Sequence, residues 1–165
     1  MQFMSDLLSQ QFAKYQLENA KMKNDIEIKG NENTHGVFNT EIIGGLRPLY
    51  HDLLSFDKND QHIQIFAYEG SGGGVMRPRR YLVFEFASDT PSGNYDIKDI
   101  LKAELLAYSD SYNWTYIPES GWISIILSES SPRVRGLFTM NMKNIGESTG
   151  PAHIKVSGDF NLSNE

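Results

Sequence analysis

Cysteine is absent from all 165 residues, which excludes disulfides, thiolate catalysis and cysteine metal sites while leaving the compartment open. Long apolar runs are absent too. No stretch approaches the ~20 residues that a membrane-spanning helix needs. Basic residues are in deficit, with 15 Lys and Arg against 21 Asp and Glu, a net charge of −6. That balance opposes nucleic-acid binding and simple adhesion to anionic membranes, and chiefly favours solubility. The first 20 residues lack a basic segment ahead of an apolar run, and Ser5, Asp6, Ser9, Gln10 and Gln11 interrupt the hydrophobes. No cleavable signal is therefore expected, which leaves the cytoplasm and export without such a signal both open.

Metal-ligand spacing is missing as well. No two of His35, His51, His62 and His153 stand two, three or four residues apart, and His51-Asp52 is the one close histidine–carboxylate couple. The acidic pairs Asp57/Asp60 and Asp96/Asp99 lie in or near turn sequences, where carboxylates commonly cap backbone amides. No metal, cofactor or catalytic residue is expected from these patterns.

A repeated pentapeptide is present near the C-terminus. Val134-Arg135-Gly136-Leu137-Phe138 and Val156-Ser157-Gly158-Asp159-Phe160 share the pattern Val-x-Gly-x-Phe, 22 residues apart. Both lie in runs that alternate strictly. Val134, Gly136, Phe138, Met140 and Met142 fall on one face of the first, and Ile154, Val156, Gly158, Phe160 and Leu162 on one face of the second. A period of two predicts half-buried strands. Glycine on the buried face of a strand implies a bend or a close approach, here with phenylalanine rings lying across the gaps of a curved sheet.

Elsewhere the period varies. Met4, Leu7, Leu8, Phe12 and Tyr15 recur at helical steps, so 4–23 is read as a helix with Ser5 as N-cap and Lys21 and Lys23 at its C-terminal end. After residue 25 the pattern is extended, with strands expected at 36–43, 61–68, 81–87, 114–117, 121–127 and the two repeat runs. Trp114 to Ile117 and Gly121 to Leu127 read as a pair across Pro118-Glu119-Ser120. Residues 46–56 and 98–108 read equally as helix or strand. The chain is thus expected to be mainly β, an antiparallel β-sandwich or open barrel of about eight or nine strands with one N-terminal α-helix. Residues 1–24 form the helical segment and 25–165 a single domain, long enough to bury a core of its own.

From Ser92 to Leu162, Gly93-Asn94-Tyr95 opens a strand, Ser120-Gly121 precedes an alternating one, and Gly136-Leu137-Phe138 and Gly158-Asp159-Phe160 lie in the last two. In this order of motifs the segment resembles a family of small all-β bacterial domains of unknown function, often found in cell-envelope lipoproteins. The resemblance implies a β-sandwich without known catalysis. The chain departs from that pattern in lacking a lipoprotein cysteine and in starting with a helical period.

Three clusters bear on function. Glu69-Gly70-Ser71-Gly72-Gly73 could be taken for a serine-protease nucleophile loop, but only 70 residues precede the serine and no partners surround it, so a hairpin loop is expected. Arg77, Arg79 and Arg80 flank Pro78 and could take a phosphate or carboxylate, or simply guard a sheet edge. Tyr108, Tyr112, Trp114, Tyr116 and Trp122 form an aromatic cluster interleaved with polar residues, suited either to stacking on a sugar or anchoring a partner, or to core packing. With no convergent catalytic set, a non-enzymatic binding module is expected. It would recognise a protein partner or glycan through loops near 69–80 and 108–119, with Tyr108, Tyr112, Trp114, Tyr116, Arg77, Arg79 and Arg80 as contacts. A membrane-active or toxin-like β protein using the N-terminal amphipathic helix, and a hydrolase without a legible site, are the alternatives.

Overall fold

Nine strands account for most of the described chain: β1 His35–Ile43, β2 Leu53–Lys58, β3 His62–Glu69, β4 Arg79–Ala87, β5 Gly93–Asp96, β6 Lys102–Ser109, β7 Tyr112–Leu127, β8 Arg133–Asn144 and β9 His153–Ser163. The structure is a computed structural model that describes residues 33–70, 79–109 and 111–165, all within the unit Asn33–Glu165. The helix expected over 4–23 and the Gly/Ser loop beyond Gly70 lie outside the described residues, as does Arg77. Among the described residues no helix is long and apolar enough to cross a membrane.

All pairings are antiparallel and all strands belong to one sheet, in the order β1-β9-β8-β7-β6-β4-β3-β2, with β5 added against β7. Two packed sheets, as in a sandwich, are therefore replaced by a single sheet that curls into a nearly closed barrel. The reason is connectivity. From β2 onward each long strand pairs with the next long strand, and β1 returns to pair with β9, so no strand has to switch sheets.

The expected strand pair at 114–117 and 121–127 is one continuous strand. β7 pairs with β6 through Tyr112–Tyr116 and with β5 through Trp122–Ile125, while its other edge follows β8 from Tyr116 to Leu127. The turn-like Pro118-Glu119-Ser120 is a bulge, where the register shifts between Pro118 and Ser120. Proline lacks the N–H that a regular ladder would use, so the irregularity falls where the sequence cannot pair anyway. Gly121 follows with φ of 141°, and a Cβ there would stand 2.2 Å from the carbonyl oxygen of Thr139. Only glycine lets β7 bend so close to β8. The two ambiguous segments also resolve. Residues 44–52 form a loop before β2, and a turn held by the Asp99 amide donating to Asp96 O (3.0 Å) precedes β6.

The repeats pair with each other across an eight-residue connection, 145–152. Their register sets Gly136 opposite Phe160 and Phe138 opposite Gly158, so each glycine faces the other copy's ring. Phe38 of β1 stacks on Phe160 at 5.5 Å and Phe84 of β4 reaches Phe138 at 4.8 Å, which links β4 to β8 and β9 across the barrel interior. Met140, Met142, Val134, Val156, Leu162, Ile63, Ile65, Leu82, Ile123 and Ile125 are among the residues that pack around them in the core. β3, β4 and β6 are buried on their outward side too, where Phe66, Tyr68, Tyr81, Val83 and Leu106 are each at most 4% exposed.

Side chains close the seam between β1 and β2, where no ladder runs. The Phe56 amide donates to Thr34 Oγ1 at 3.2 Å, Asn164 Nδ2 donates to the Phe56 carbonyl at 2.7 Å, and the Thr34 hydroxyl donates to Asn164 Oδ1. These bonds satisfy the backbone groups of Phe56 on the side of β2 turned away from β3. Replacing Asn164 with Ala is expected to cost about 1–2 kcal/mol, because a backbone carbonyl loses its donor. Urea unfolding measures it, and an unchanged midpoint would mean the seam is held by packing alone.

Candidate functional site

Inward positions on β3 and β4 are apolar until the strand ends. Ile63, Ile65 and Ala67 lead to Glu69, and Phe86, Phe84 and Leu82 lead to Arg80. Glu69 and Arg80 are direct partners in the register, so opposite charges meet at one end of the barrel. Both residues are buried, at 8% and 4% exposure. Arg80 Nε donates to Glu69 Oε2 at 2.9 Å and Nη2 to Oε1 at 3.2 Å. Its remaining hydrogen bonds run to the loop between β1 and β2, from Nη1 to the Arg47 carbonyl and from Nη2 to the Pro48 carbonyl, both at 2.7 Å.

Arg47 in that loop completes the cluster. Its Nη1 and Nη2 donate to Glu69 Oε1 and Oε2 at 2.7 and 3.0 Å, and the Tyr50 amide donates to Oε1 at 2.9 Å. Burial alone would raise the Glu69 pKa and is the largest single influence on it. Donation from Arg80, Arg47 and the Tyr50 amide, with the charge of Arg80, together outweigh burial and lower it to about 2. A carboxylate held ionised with its oxygens filled in this way is a poor proton acceptor near neutral pH. Arg47 differs from Arg80 in being half exposed, and its guanidinium lies 5.5 Å from the ring centre of Tyr50, a residue 65% exposed.

The start of β7 belongs to the same end. Tyr112, Trp114 and Tyr116 share the inward face by alternation, at different depths. Tyr116 is fully buried in the core, and its hydroxyl donates to the Pro151 carbonyl at 2.8 Å. Burial pushes its pKa up to about 12. Trp114 is partly buried and fixed on three sides. Its Nε1 donates to Thr149 Oγ1 at 2.9 Å, Tyr112 stacks on it at 4.0 Å and 19°, and Gly150 lies against the ring, where a Cβ would stand 2.5 Å from it. Tyr112 is the outermost of the three. Burial raises its pKa, while the charges of Arg80 and Arg47 pull it down, which places its hydroxyl in the field of both guanidiniums.

The structure therefore brings Tyr112, Trp114 and Arg80 together, keeps Tyr116 in the core beneath them and separates Tyr108 and Arg79 from them. Tyr108 lies on the outward side of the sheet, its hydroxyl 3.4 Å from that of Tyr68, and Arg79 is its register partner on that same side. Arg47 and Tyr50 are members of the site without a signal in the sequence patterns, and Glu69, at the edge of the expected 69–80 loop, is the last inward residue of β3. The available signal was an unlike pair of charges at the last inward positions of two consecutive strands. Among the described residues, no group of three or more His, Asp and Glu side chains is arranged to hold a metal ion. Compared with family models, curated proteins and solved structures, the chain matches none.

Proposed function

We propose that the protein is a non-enzymatic binding module that takes a glycan on the ring-and-cation patch of Tyr112, Tyr50 and Arg47. The Tyr112–Trp114 stack carries this reading. One face of Tyr112 is spent on Trp114, which is itself pinned by Thr149 and Gly150, so the surface it offers to a ligand is the opposite face of a ring already held in place. A preorganised ring loses little conformational entropy on binding. The adjacent carboxylate is committed to two guanidiniums, which favours a structural duty over acid–base chemistry. The patch as proposed consists of three side chains. Protein interfaces of ordinary size bury about 800 Å² on each partner, whereas a sugar needs one ring face and a few polar groups.

Tyr112→Ala is expected to weaken glycan binding by about tenfold or more, the loss typical of an anchoring ring, while the chain stays folded by circular dichroism. A glycan array with wild type and variant side by side tests it. Equal signals from the two would remove the assigned site. Glycan-negative arrays combined with a protein captured through Tyr112 would replace the sugar with a protein partner.

A further inference from the structure

We propose that the ligand of this patch is an acidic saccharide, its carboxylate held by the outer N–H groups of Arg47 and its ring laid on Tyr112. The inference rests on the glycan-binding reading above and narrows it. Arg47 uses one hydrogen on each Nη for Glu69, and its only other polar contact is a long 3.5 Å approach from Nη1 to the Pro48 carbonyl. Nε–H and the second hydrogen of Nη2 have no partner among the described residues. Half of the side chain is exposed, while the edge formed by Nη1 and Nη2 is held by Glu69. A guanidinium so anchored presents a fixed planar fork, which suits a carboxylate better than a hydroxyl.

The local charge favours an anion. Glu69 is shared between two guanidiniums, so the three groups carry one positive charge in excess. Asp52 is the one acid of the loop itself, and its Oδ2 accepts from the Gly70 amide at 2.9 Å. The chain as a whole is acidic, at −6, so a cation kept at the barrel end is a local departure from its surroundings. A neutral sugar would leave the outward N–H groups of Arg47 to water. A carboxylate on the ring would pair with them while the apolar ring face meets Tyr112.

The test is titration of the full-length protein with three oligosaccharides of equal length, one containing uronic acid, one sulfated and otherwise neutral, and one neutral. The uronic-acid oligosaccharide is expected to bind about tenfold or more tightly than the neutral one, and to weaken as salt is raised. Arg47→Gln is expected to abolish that preference and Arg47→Lys to keep part of it. The salt titration on wild type stands even if a variant folds poorly. Equal binding of acidic and neutral sugars, or an acidic preference that survives Arg47→Gln, would overturn the acidic ligand and leave the glycan-binding reading standing. A preference for the sulfated sugar alone would overturn the carboxylate. Failure of all three to bind would remove both.

Discussion

Replacing Gly158 with Ala is expected to destabilise the barrel by about 3 kcal/mol or more, enough to leave a marginal domain partly unfolded. A Cβ at this position would stand 2.1 Å from the Asn39 carbonyl oxygen and 2.7 Å from Phe138 Cζ. The first obstacle is backbone. Thr40 of β1 is the register partner of Gly158, so relief requires β1 to move away from β9 along a ladder that runs from His35 to Ile43. Glycine to alanine normally gains up to about 1 kcal/mol by restricting the unfolded chain, and the clash must exceed that gain for the substitution to harm. The backbone contact, more than an ångström inside ordinary van der Waals distance, meets that condition, and the contact to the Phe138 ring adds to it. Chemical denaturation measures the effect, and a loss below about 1 kcal/mol would mean that β1 yields far more readily than its pairing implies.

Gly136 provides the contrast. All three of the nearest atoms to a Cβ there belong to the Phe160 ring, the closest at 2.2 Å. The closest obstacle is thus a side chain rather than backbone, so shortening that ring relieves it. Gly136→Ala should therefore be partly rescued by Phe160→Leu, with a favourable coupling in a double-mutant cycle. Gly158→Ala should not be rescued by Phe138→Leu, because the Asn39 carbonyl remains.

These cross-paired glycines were legible as a feature of the sequence, since two strict alternations with glycine and phenylalanine two apart imply rings over gaps. Their register was not, because alternation assigns faces without assigning partners. The same limit governs the aromatic run. A period of two places Tyr112, Trp114 and Tyr116 on one face, but depth along the barrel decides that Tyr116 is core and Tyr112 reaches the rim. The long strand β7 was read as two because Pro118 carries the same signal in a bulge as in a turn. By spacing alone Arg80 reads with Arg77 and Arg79 as one cluster. Strand alternation separates the neighbours Arg79 and Arg80 onto opposite sides, and the inward one finds Glu69.

That buried pair supports the second large effect. Glu69→Gln is expected to lose about 3–5 kcal/mol at neutral pH, because it leaves Arg80, 4% exposed, without its counter-charge. The pH dependence follows from the lowered pKa. Glu69 titrates near 2 in the folded protein against a reference of 4.5, a gap of 4.5 − 2 = 2.5, or about 3 kcal/mol at 1.36 kcal/mol for each step. A depressed folded pKa stabilises above the unfolded value and is lost as pH falls through the folded one. The stability difference between wild type and Glu69→Gln should therefore be constant above about pH 5 and shrink between pH 4.5 and 2. Measuring the difference cancels most of the other carboxylates, which titrate in both chains. A gap that persists unchanged at pH 2 would mean that the carboxylate's ionisation is not what holds Arg80, and that shape and hydrogen bonding alone secure this end of the barrel.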